Sequence, residues 1–169
     1  GKTWPMRLEV SWFKQRFDRL ILFVPLDAYR IQATDRFGAV VDGVEAGLRV
    51  GETGPWLSVH HLFQDAHFDD STATPLPHRP RHRTTVGAGW NTGVTRPFIH
   101  WSIQSDMTAD RFGRRRLPGY QYLDVGTAIH LHGGLSLSME MRNLTDRKGM
   151  YEAIHQPIPG RACFFEIRW

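Results

Sequence analysis

Residues 135–142 read LSLSMEMR. In an extended chain Leu135, Leu137, Met139 and Met141 fall on one side and Ser136, Ser138, Glu140 and Arg142 on the other, because successive side chains of a strand point to opposite faces. Wound at 3.6 residues per turn, the same apolar residues scatter around the wheel, so the period is two and the segment is a strand with two unlike faces. Before it stands His132-Gly133-Gly134, a tight turn. Upstream, residues 122–132 place Leu123, Val125, Ile129 and Leu131 against Asp124, Gly126, Ala128 and His130. Downstream, the chain ends PIPGRACFFEIRW (157–169), with Cys163, Phe165, Ile167 and Trp169 opposite Ala162, Phe164, Glu166 and Arg168.

The same period runs back through the sequence. Ile99, Trp101, Ile103 and Met107 alternate with His100, Ser102, Gln104 and Asp106; Met6, Leu8, Val10 and Trp12 with Arg7, Glu9 and Ser11; Val44, Ala46, Leu48 and Val50 with Gly43, Glu45 and Arg49. Two further segments, about 56–64 and 83–91, alternate less sharply. The expectation is eight strands and little helix, which 16 Gly and 10 Pro in 169 residues also favour.

Composition narrows the class. The length suits a single domain, taken as 1–169. Net charge is +4 with the basic residues spread along the chain, whereas a nucleic-acid binder concentrates them in a stripe. The lone Cys163 excludes an internal disulfide and a cysteine-based zinc site. No run of 18 apolar residues exists to make a transmembrane helix.

Connection lengths alternate. GETGP (51–55), NTGVTR (91–96) and HGG (132–134) are short; about 18–38, 65–80, 108–119 and 144–160 are long. That is the pattern of an up-and-down antiparallel sheet with its tight turns at one end, and outer-membrane barrels share it. A soluble sandwich or lipocalin-like barrel alternates in the same way. Two features favour the membrane reading. The polar face mixes Glu, Arg, Asp, His, Ser and Gly, as in a wet or plugged lumen. Trp4, Trp12, Trp56, Trp90, Trp101, Tyr120, Tyr122 and Trp169 gather near expected strand ends, and Trp and Tyr prefer membrane interfaces. The last strand is then expected to pair on both sides in a closed barrel, with Trp169 as its interfacial anchor.

Five motifs in order resemble the C-terminal end of TonB-dependent outer-membrane receptors. They are WFKQRFDRLI (12–21), which resembles a strand ending before an external loop; Gly43-Val44-Glu45; Arg79-Pro80 with His82; Gly119-Tyr120 with Asp124; and Asn143-Leu144-Thr145-Asp146 with Tyr151, followed by Pro159-Gly160-Arg161 and the aromatic last strand. The resemblance implies an all-β, antiparallel up-and-down transmembrane β-barrel. These eight strands would be either a small closed barrel or part of a 22-stranded one. It implies a bacterial outer-membrane location and a receptor whose external loops help take up a ferric siderophore, corrinoid or similar nutrient. The alternative is a self-closed eight-stranded barrel with a structural or adhesion role. No plug domain and no TonB box are expected in 1–169. Implied partners are outer-membrane lipid and lipopolysaccharide, the barrel-assembly machinery acting on Phe165, Ile167 and Trp169, and either the TonB complex through a plug or other chains that complete the barrel. No nucleic acid is expected.

Candidate ligand-binding residues lie in or near the long connections: His67, His78, Arg114, Arg115, Arg116, Tyr151 and His155. Histidine and tyrosine can ligate iron, and arginine meets phosphate in a bidentate fork. The histidines lack tight metal-ligand spacing, so no metal site or cofactor is expected. No nucleophile–base pair, catalytic carboxylate pair or phosphate loop is present, so no enzyme activity is expected.

Overall fold

A computed structural model describes residues 4–25, 30–70, 72–153 and 156–169. Eight strands form one antiparallel sheet in chain order: β1 (Met6–Pro25), β2 (Ile31–Val50), β3 (Gly54–Phe68), β4 (His82–Asn91), β5 (Phe98–Gln104), β8 (Tyr120–His130), β9 (Ser136–Arg142) and β12 (Ala162–Arg168). Two small hairpins decorate the long connections, β6 (Met107–Thr108) with β7 (Arg116–Leu117), and β10 (Tyr151–Ala153) with β11 (Gln156–Pro157). The only helical turn among the described residues is a 3-10 turn at His132–Gly134, where Gly133 and Gly134 take φ of 78° and 87°, values that glycine tolerates.

Register builds the two faces. Leu8, Leu48, Val59, Val86, Trp101 and Leu123 form one cross-strand row; the adjacent row is Arg7, Arg49, Ser58, Gly87, His100 and Asp124. One face is therefore apolar across the whole sheet and the other polar. The apolar face is bare: Trp12 is 68% exposed, Phe165 74% and Trp169 101%. A soluble monomer rarely leaves so large a contiguous apolar surface in water, whereas a barrel wall turns it to lipid.

Three expectations change. The stretch 18–38 is not a long loop, because β1 and β2 extend through it as one hairpin. Register shifts between Phe17 and Leu20 and between Leu20 and Leu22 break the two-residue period there, as bulges do, so alternation cannot reveal the strands. Trp12 and Trp101 lie within strands rather than at their ends. Trp56, Tyr120 and Tyr122 share the polar face, since Trp56 pairs with Gly89 in the row of Phe98, Gly126 and Glu140. Arg49 stacks 4.9 Å over Trp56. Glycine makes room for such rings: a Cβ on Gly89 would stand 2.6 Å from Trp56, and one on Gly126 2.6 Å from Phe98.

The expected closure is not made within the described residues. β12 pairs with β9 and β1 with β2, each along one side. The described strands thus form an open sheet with β1 and β12 at its edges, and because unpaired edges in hydrocarbon cost several kcal/mol per backbone group, further strands are needed to cover them.

Candidate functional site

At the end opposite the tight turns, the connection after β3 folds back over the polar face. Residues 69–81 return along β3, where Leu76 N–H donates to Ala66 O at 2.8 Å and Phe68 N–H to Thr74 O at 2.8 Å. This buries Leu76 against Ala39, Val41, Ala66 and Phe68, with Phe13 and Leu20 packed alongside. The β6–β7 connection locks onto it: His78 N–H donates to Thr108 O at 2.9 Å, and Thr108 Oγ1 donates to Leu76 O at 3.2 Å. The tip beyond turns around Asp110, whose carboxylate accepts main-chain N–H bonds from Phe112, Arg114 and Arg115. Loss of water pushes that carboxyl up, but the donors of Arg115, Arg114 and Phe112 outweigh it and hold it below the usual aspartate range.

The arginine run is dispersed by this fold. Arg114 stacks 5.5 Å from the exposed Phe112 ring. Arg115 spends its main chain on Asp110 and Ala109. Arg116 pairs with Asp106 at 3.4 Å. His67 lies within β3 rather than in a loop, with Nδ1 3.8 Å from Asp65. His78 has φ of 59° and a buried Nδ1 with no partner among the described residues. Tyr151 sits in β10 opposite Pro157. His155 lies outside the described residues. Among the described residues no group of three or more His, Cys, Asp or Glu is placed to hold a metal ion.

What the sequence did not reveal is the partnering. Arg79, Arg81, Arg116, Asp65 and Asp106 line one hollow of about 270 Å³ where the two connections meet, and Arg81 bonds Asp65 at 3.1 Å. Deeper on the polar face, Arg83 reaches buried Gln104 Oε1 through Nε and Nη2 at 3.2 and 2.8 Å, and Tyr120 OH donates to the same oxygen at 3.2 Å. The bonded pairs Arg81–Asp65, Arg83–Gln104 and Tyr120–Gln104 are 16, 21 and 16 residues apart in sequence, and only the fold brings them together.

Residues 3–144 match the family described as "TonB dependent receptor-like, beta-barrel". The chain belongs to that family. Solved structures agree on the fold. The siderophore receptor PiuA from Acinetobacter baumannii is 14% identical, with a TM-score of 0.69 over 96% of this chain and 26% of that one. The ferric citrate transporter FecA is 16% identical, TM-score 0.74, covering 95% and 28%. The copper transporter OprC is 18% identical, TM-score 0.76, covering 95% and 28%. The chain thus spans about a quarter of the length of these proteins. No curated protein matches it in sequence.

Within a TonB-dependent receptor-like barrel, the polar face is the inner wall. Glu9, Ser11, Glu45, His60, Arg83 and Thr85 line a hollow of about 330 Å³ on it, a mixed-charge surface suited to polar contacts rather than to covalent chemistry. The apolar stripe of β12 continues the outer face: Phe165 pairs with Met139 and Ile167 with Leu137. The far edge of β12 carries no strand of the described chain.

Proposed function

We propose that this chain forms part of the wall of a TonB-dependent receptor in the bacterial outer membrane. In this reading its loops help capture a ferric siderophore, corrinoid or similar scarce nutrient. The observation that carries the reading is the open eight-stranded arc, apolar on one face and polar on the other, that superposes along nearly its whole length on receptor barrels. The two unpaired edges favour a larger barrel over a self-closed one. The polar face would contact a plug domain, through which TonB acts, and the exposed strand β12 would serve as the assembly signal. The interlocked connections, with Arg79 and Arg81 at their junction and the Arg111–Phe112–Arg114 tip beyond, present cation and aromatic surface to an anionic chelate.

Uptake tests this. The intact protein, produced in cells lacking other receptors, is assayed with a panel of labelled ferric chelates and cobalamin. Energy-dependent uptake of at least one, lost when residues 109–115 are replaced by a short glycine linker in barrels that still assemble, is expected. Absence of uptake across the panel, or uptake indifferent to that replacement, contradicts the proposed role of the loops.

A further inference from the structure

The outer wall is not smooth. Val86, Ala88, Ile99, Trp101, Gln121 and Leu123 of β4, β5 and β8 line a trough of about 650 Å³, closed at the loop end by Thr145 and Arg147. These strand residues belong to the apolar face by register. The wall at the top is held in place from beneath. Asn143, 2% exposed, accepts Arg147 N–H at 2.9 Å on Oδ1, and its Nδ2 donates to Arg147 O at 2.9 Å and to Pro159 O at 3.2 Å. Leu144 N–H donates to Leu123 O at 2.7 Å, tying the same turn to β8. Asn143 takes φ of 49° to do this, a left-handed conformation that asparagine adopts more readily than most residues. The Arg147 guanidinium makes no ion pair with any described residue, whereas the adjacent Lys148 stands 3.9 Å from Asp146.

We propose that this trough seats one acyl chain of an outer-leaflet phosphoglycolipid of the lipopolysaccharide type, with Arg147 on its phosphate. The inference rests on the outer-membrane reading above. A groove gives a chain contact on several sides, where a flat wall gives contact on one. A guanidinium at its rim with no ion pair among the described residues matches phosphate by charge and by its planar fork. The long connections mark the outer end of such a barrel, and the outer leaflet there is built of phosphorylated, acylated glycolipid. In the Arg114–Arg116 run, a ligand-binding candidate on sequence alone, Arg116 is paired with Asp106, so Arg147 is the better-placed cation.

The intact protein is extracted from native outer membranes, selected for heat-modifiable folded barrel on gels, and assayed for bound glycolipid through its phosphate and hydroxylated fatty acids. Near-stoichiometric glycolipid is expected on the wild type. Arg147→Glu and Ala88→Trp should each lower it about tenfold or more, the equivalent of 1.4 kcal/mol, while Lys148→Glu keeps it. Equal retention in all forms, loss in only one of the two trough variants, or phospholipid in place of glycolipid overturns the proposal and leaves the receptor reading standing. Recovery of the wild type outside the outer membrane overturns both.

Discussion

At Leu137 and Ser138, one peptide step separates the outer wall from the inner. Leu137 pairs with Ile167 and Ile129 on the apolar face, Ser138 with Glu166 and Ala128 on the polar one. Leu137→Arg should destabilise the barrel by roughly 2–4 kcal/mol, and Ser138→Arg by much less. Equal costs in a detergent-folding titration would refute the assignment of faces. Asp146 offers a second test at this scale. Its Oδ1 accepts Arg161 N–H at 2.9 Å, and that bond, aided by Lys148 and Arg161, holds the carboxyl below its ordinary value. A carboxyl depressed in the folded state stabilises fully above its unfolded value, about 3.9, and ceases to do so as pH falls through the lower folded value. Amide exchange at Arg161, corrected for intrinsic rate, should therefore lose protection on acidification from about pH 5 to below the depressed value. Protection constant over that window would mean the carboxylate is not the anchor.

Strand β12 is short, edge-exposed and amphipathic, with Phe165, Ile167 and Trp169 on the bare face. Its free backbone groups make it a template for strand addition, and Trp169 is an interfacial anchor. Trp169→Ser, or deletion of 167–169, should reduce outer-membrane insertion in cells more than it reduces stability of detergent-folded protein. Unchanged yield on membrane fractionation would leave Trp169 a packing residue only. Elements such as β9 and β12 are legible in sequence because a strand with one lipid face and one wet face must alternate. The upper halves of β1 and β2 are not, because bulges at Phe17–Leu22 break the period while main-chain pairing continues. Trp56 is misread for a related reason: an aromatic near a strand end suggests an interface, but its parity places it on the inner wall under Arg49. The interlocking of residues 69–81 with 105–118 has no sequence signal, since it is carried by main-chain bonds such as His78 to Thr108.

At the scale of the whole sheet, β1 and β12 are edges that carry no strand among the described residues, and the account turns on what meets them. If the arc belongs to a larger barrel, β1 and β12 never meet; if it closes on itself, they are neighbours. Cys163 lies on the apolar face of β12 and is exposed, so it reports this directly. Cross-strand partners stand about 4.5–5.5 Å apart, within disulfide reach. Single cysteines at Met6, Leu8, Val10 and Trp12 of β1 are oxidised in membranes containing the intact protein, with Met141→Cys, the β9 partner of Cys163, as the positive control. The account predicts an intramolecular disulfide from the Met141→Cys control and from none of the β1 positions. A disulfide between Cys163 and any β1 position at the control's yield would show a self-closed eight-stranded barrel and contradict it.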